Sequence, residues 1–203
     1  MNSVVIQGKS EDFKNKQNHV LMLKNSLRNI GGNFPEISFK NLKSVYLSEK
    51  SLDTLLELNL IVEDVWHVVV EKKVFGSTTV NASFNDIADL QLNDGILSTD
   101  SYNLTKPKMF INRSWITTLY PMRGKKLTEL RIENSGIDTI KSSAFKILEL
   151  PSLVLDNVTI RTIESDIFNE PVSHWRLFTY WEYFNSFNCF FPDCVRKFGC
   201  DKL

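Results

Sequence analysis

The chain has 203 residues, 42% of them hydrophobic and 24% charged, with 24 Lys+Arg set against 24 Asp+Glu. That length holds one domain or one short repeat array, and the composition excludes bulk disorder and collagen-like or Pro-rich architecture. Zero formal net charge argues against a nucleic-acid binder or a basic membrane-surface protein, and no apolar run approaches the roughly 20 residues that span a bilayer.

At the amino terminus, Val4-Val5-Ile6 is too short for a signal-peptide core of about 7–15 apolar residues. It reads instead as a covering strand in an N-terminal cap spanning residues 1–19. A period then begins. The pairs Leu130-x-Ile132 and Leu153-x-Leu155, with Ile137, Ile140, Phe145 and Ile160, Ile163, Phe168 behind them, superpose with a shift of 23. The template is apolar at i, i+2, i+7 and i+10. It recurs with heads at Val20, Val45, Val68, Leu90 and Met109, giving spacings of 25, 23, 22, 19, 21 and 23 through to Leu153. The 19-residue step between heads 90 and 109 predicts a shortened coil, and Trp175-x-Leu177 is a degenerate eighth head.

The i, i+2 pairs are a strand period with one buried face. The residues at i+7 and i+10 turn inward from a returning segment. One such coil cannot bury its apolar side alone, so stacked neighbours must cover one another. The β-branched run Val65-Trp66-His67-Val68-Val69-Val70 favours strands over amphipathic helices.

These residues resemble the leucine-rich repeat family. Leu127-Thr128-Glu129-Leu130-Arg131-Ile132 through Phe145, and Leu150-Pro151-Ser152-Leu153-Val154-Leu155 through Phe168, resemble the Phe-containing repeats of extracellular animal members. Asn33-Phe34-Pro35 through Val45 is similar to repeat junctions in secreted insect proteins of this type. The resemblance implies an α/β solenoid: a curved array of about seven to eight coils over residues 20–180. Its concave face would carry a parallel β-sheet and its convex side would be irregular or short helical. The family places Asn five residues after the head, where its side chain ladders with neighbouring backbones. Here that slot holds Asn25, Lys50, Lys73, Gly95, Ser114, Ser135 and Val158, so a less regular hold on the turns is expected.

In that architecture the residues flanking the buried strand positions form three outward columns. The first runs from His19 through Ser44, His67, Asp89, Lys108 and Glu129 to His174, and the second from Leu21 through Tyr46, Val69, Gln91, Phe110 and Arg131 to Arg176. Aromatic residues and Arg dominate interface hot spots. The expected binding residues on the concave face are therefore Tyr46, Phe110, Arg131 and Arg176, with His67 and Gln91 beside them. The three His fall on strands that are not neighbours, so no metal site is expected. Sequons at Asn81, Asn103, Asn112 and Asn157 are candidate glycosylation sites and favour a secreted chain.

Residues 181–203 read as an aromatic, Cys-containing C-terminal cap, since a solenoid must cover its open end. Cys189, Cys194 and Cys200 are disulfide candidates, with pairing left open. The odd thiol points to a partner chain, so a disulfide-linked or a non-covalent dimer is expected as an alternative to the monomer. No nucleotide, zinc-protease or serine-hydrolase motif is present. The expectation is a non-enzymatic extracellular recognition module without cofactors, taking a protein ligand or co-receptor. The alternative is a cytoplasmic leucine-rich repeat scaffold or substrate-adaptor subunit.

Overall fold

The computed structural model describes residues 3–8, 18–24, 36–52, 57–75, 79–96, 107–122, 127–145, 150, 152–165 and 167. Their regular structure is strand throughout, with no helix among them: β1 (Ser3–Gln7), β2 (His19–Met22), β3 (Glu36–Leu47), β4 (Glu57–Val70), β5 (Thr79–Leu92), β6 (Lys108–Asn112), β7 (Trp115–Leu119), β8 (Glu129–Ile140) and β9 (Leu153–Ile163). Every pairing is parallel and all nine strands join in one sheet. The chain is a parallel β-solenoid. Five complete turns are built on β3, β4, β5, the β6–β7 pair and β8, with β1 and β2 laid on the first and β9 on the last.

Each turn is bent by one residue in the left-handed region: Asn41 (φ 53), Asp64 (54), Asp86 (55), Arg113 (47), Asn134 (48) and Asn157 (51). Asn and Asp tolerate this conformation best, and they hold the position in every turn but that of Arg113. A single left-handed residue between extended neighbours re-aims the strand while keeping its apolar side turned inward. Ile37 and Phe39 point to the core before the bend, and Leu42, Val45 and Leu47 after it, each at most 1% exposed. Two outer faces result. The first carries β1, β6 and the opening halves of β3, β4, β5, β8 and β9. The second carries β2, β7 and the closing halves of the same long strands. A further bend follows the second face at Lys50, Lys73 and Gly95. Their backbones ladder from Lys50 N–H to Lys73 C=O (3.1 Å), from Lys73 N–H to Gly95 C=O (3.0 Å) and from Gly95 N–H to Pro121 C=O (2.9 Å).

Stacking aligns the core into columns. One is Ile37, Leu60, Ala82, Met109, Leu130 and Leu153; another is Val45, Val68, Leu90, Ile116, Ile137 and Ile160. Neighbouring strands lie about 4.8 Å apart, and each Leu or Ile so buried contributes about 1.5–3 kcal/mol against the ordering entropy of its coil.

This register corrects the periodicity. Heads Val20, Val45, Val68 and Leu90 lie on the second face, whereas Met109, Leu130 and Leu153 lie on the first. The same template fits both frames because heads Val45, Val68 and Leu90 on one face and Met109, Leu130 and Leu153 on the other are each buried together with the residue two positions on, and Leu52 and Phe75 are buried seven positions after their heads as Ile116 and Ile137 are after theirs. The step from 90 to 109 is a change of frame and not a short coil. Ala82 stacks on Met109, 27 residues later, so that coil is longer than the coils on either side of it, which step 22 and 21 residues. Among the described residues the returning side is a second strand and a turn, with no helix. Its segments, such as the five-residue β7, are too short for an α-helix and follow the period-two pattern.

Candidate binding faces

Two frames mean two surfaces, and the five described residues of the six expected to share one face divide between them. Phe110 and Arg131 are cross-strand neighbours on the first face. Tyr46, His67 and Gln91 lie on the second, where Tyr46 and Gln91 flank Val69 and His67 pairs with Asp89. Arg176 lies outside the described residues, as do Asn103 and the three cysteines.

On the first face the charges pair among themselves. Lys40 Nζ meets Glu63 Oε2 at 2.7 Å and Lys108 Nζ meets Glu129 Oε2 at 2.9 Å. Arg131 is held from both sides, with Nε 3.3 Å from Glu129 Oε1 and Nη1 2.5 Å from Glu133 Oε1. The Lys108 ammonium, with Arg131 beside it, holds the Glu129 carboxyl below its usual range. A guanidinium held by two carboxylates is a fixed group beside the half-buried Phe110, with these contacts engaging two of its five N–H donors.

The second face is built differently. Asp89 accepts from His67 Nδ1 (2.7 Å), from Thr117 Oγ1 (2.7 Å) and from Gln91 Nε2 (3.3 Å). Tyr46 donates its hydroxyl to Glu71, which raises the phenol above its ordinary pKa; Glu71 also accepts the Glu49 N–H at 3.1 Å. His19 Nδ1 lies 2.7 Å from Ser44 Oγ. Asp89 and Glu71 are thus bonded within the face, and large hydrophobic residues stand exposed on it beside Lys43 and Thr117. Trp66 is 49% exposed and Leu21 59%. Sequence reasoning missed Trp66. Its one signal is the departure from alternation at Val65-Trp66-His67-Val68, where Leu42 pairs with Val65 and Ser44 with His67 in unbroken register and Trp66 stands level with the exposed Lys43.

At the bend between the faces lies an open, shallow depression of about 510 Å³, lined among others by Ala88, Arg113, Trp115, Asn134, Gly136 and Asn157. Arg113 forks onto Asp86 with two contacts of 2.6 Å. That guanidinium holds the Asp86 carboxyl below the ordinary carboxylate range. The Trp115 indole lies flat on Gly136, donates Nε1–H to Asp138 Oδ2 at 3.1 Å, and has the Arg161 guanidinium 4.7 Å from its ring centroid.

Beneath the bend, buried Ser114 and Ser135 form an inner ladder. Ser114 Oγ accepts the Ile87 N–H and Ser135 Oγ accepts the Ser114 N–H, each at 3.1 Å. Each hydroxyl in turn donates to a carbonyl two residues back, on Asn112 and Glu133.

Among the described sequons, Asn81 is exposed on the first face, Asn112 ends that face, and Asn157 stands at the bend. Asn134 links the last two, donating to Asn112 Oδ1 at 3.2 Å and accepting from Asn157 Nδ2 at 2.9 Å. Among the described residues no three His, Cys, Asp or Glu are grouped to hold a metal ion, and no helix is long and apolar enough to cross a membrane. No family model, no curated protein and no solved structure matches the chain.

Proposed function

We propose that this chain is a non-enzymatic, extracellular recognition module of the leucine-rich repeat type, and that its protein ligand or co-receptor docks on the second face around Trp66. The observation that carries the reading is the 49% exposed indole. It precedes His67 on β4, in the face that also carries Tyr46 and Gln91, and the polar groups of these three are bonded within the face. A large rigid aromatic in pre-satisfied surroundings is what interface hot spots are made of. By contrast, Phe110 and Arg131 sit in a surface where Lys40, Lys108 and Arg131 are each ion-paired to a carboxylate of the same face.

The family reading draws support from the serine ladder. Ser114 and Ser135 occupy the slot five residues after a strand head, where the family's Asn bonds neighbouring backbone, and their hydroxyls do the same work. In the earlier turns the corresponding slot holds Leu42, Val65 and Ile87, which cannot ladder. The extracellular reading rests on the sequons. Asn81, Asn112 and Asn157 lie on the first face or at the bend, an arrangement in which glycans and a partner on the second face coexist. The C-terminal cysteines would staple a cap.

The test compares capture of extracellular proteins by the immobilised chain and by its variants. Trp66→Ala is expected to abolish specific capture, whereas Phe110→Ala with Arg131→Ala leaves it intact. The opposite pattern moves the site to the first face. Chain secreted from animal cells should carry glycan mass at Asn81, Asn112 or Asn157. A glycan-free mass with three free thiols would favour the intracellular scaffold or adaptor reading instead.

A further inference from the structure

Exposed aliphatic surface concentrates at one end of the solenoid. Val4 is 36% exposed, Val5 55%, Leu21 59% and Leu23 60%. Val4, Val5 and Leu21 belong to β1 and β2, and Leu23 follows β2 directly. Among the described residues these strands pair on one side only, each with β3. A parallel stack ends in a row of peptide groups with no neighbour, and proteins ordinarily blunt such an edge with Lys, Pro or a bulge. Ser3–Gln7 and His19–Met22 contain no Lys, Arg, Asp, Glu or Pro, and their registers with β3 run without a skip.

Hydrogen-bond parity says which residues face the open side. Gly8 donates its N–H to Lys40 C=O, and the carbonyls of Asn18 and Met22 accept from Lys43 and Ser48. Direction alternates along a strand. Ile6 and Val4 therefore share the side of Gly8, while Val5 turns its N–H and C=O to the open edge; on β2, His19 and Leu21 do so. Val5 and Leu21 are also the most exposed large hydrophobic residues on these strands. The inward residues are only half covered: Ile6 and Val20 pack on the core while remaining partly exposed.

We propose that this end is a self-association surface, and that its occupant is the same end of a second copy of the chain. The topology makes the edge self-complementary. β1 runs toward the bend on the first face, and β2 runs away from it on the second. A twofold axis through the bend, perpendicular to the stack, sets β1 of each copy antiparallel to β2 of the other. The five residues of β1 and the four of β2 match in length. Two such ladders form at once, and Val4, Ile6 and Val20 of both copies close into one continuous core. An edge without Lys, Arg, Asp or Glu meets no repulsion from fixed charges of its own image, and the chain's net charge of zero adds none at long range.

Sedimentation velocity on the full chain, from micromolar to millimolar concentration and with and without a thiol reductant, tests this. The expected result is a reductant-insensitive dimer. Val5→Pro with Leu21→Pro deletes only edge-facing N–H groups and leaves the β3 ladders intact, so it should give a monomer with an unchanged far-UV spectrum. Should that variant fail to fold, Val5→Lys with Leu21→Lys is expected to give the same monomer. Hydrogen exchange in the parent should then show Val5 and Leu21 amides whose protection rises with concentration while that of Val4 and Ile6 does not. A parent that stays monomeric throughout, a dimer lost on reduction, or a dimer indifferent to the edge variants with concentration-independent exchange would each overturn the proposal.

Discussion

Gly136→Ala probes the packing of the bend most sharply. A Cβ at this position would stand 2.1 Å from Trp115 Cζ3 and 2.2 Å from Cε3, so the indole must lift off the backbone. Lifting it breaks the bond to Asp138 Oδ2 and the stacking of Arg161. The hydrogen bond, to a charged but partly exposed acceptor, is worth about 1 kcal/mol here. The cation–π contact adds about 0.5–1 kcal/mol and the overpacking about 1–3 kcal/mol. Alanine returns about 0.4–1 kcal/mol by restricting the unfolded chain. The net is a destabilisation of about 3 kcal/mol, or roughly 6–12 °C in melting temperature for a domain of this size. Thermal unfolding followed by far-UV circular dichroism measures it, and a double-mutant cycle identifies the cause. With Trp115→Ala in the background the obstacle is gone, and Gly136→Ala should become neutral or stabilising. An equal cost with and without the indole would refute the reasoning.

Other consequences are open to direct measurement. Ser135→Ala strips the acceptor from the buried Ser114 N–H and should destabilise by about 1–3 kcal/mol in denaturant titration. Gly95 holds φ +74, and a methyl group added there would meet nothing within 4 Å, so Gly95→Ala isolates the left-handed penalty, about 1–2 kcal/mol; the reverse change at the equivalent Lys73 should gain about 0.5–1 kcal/mol. Asp86, Glu129 and Glu164 have carboxyls held below their ordinary range, chiefly by hydrogen bonds from Arg113, Lys108 and Lys141. Their contribution is present above the unfolded carboxylate pKa of about 4 and is lost as pH falls through the lower folded values. The melting temperature should therefore drop on acidification, and Asp86→Asn should flatten that profile.

Much of this architecture was legible in the residues. Leu130-x-Ile132 and Leu153-x-Leu155, repeating with a shift of 23, demand stacked strands because no single coil of that size can hide its own apolar side. Trp66 and the serine ladder were not legible. An exposed Trp and a buried Ser both contradict average burial, and only the neighbouring turn determines which exception holds.

The frame of the repeat shows the division most clearly. Sequence determined that Val45, Leu47, Leu130 and Ile132 are buried, since alternation and hydrophobicity are local properties. It could not assign the first two to one face and the last two to the other, because both faces present the same apolar spacing to a shared core. That choice is made by the left-handed residues at Asn41, Asp64, Asp86, Arg113, Asn134 and Asn157, and by the register that stacks Ala82 on Met109 across 27 residues. A bend changes which way a side chain looks without changing its polarity. The outer surface, and with it the grouping of Tyr46, His67 and Gln91 apart from Phe110 and Arg131, was therefore decided only when the turns were laid on one another.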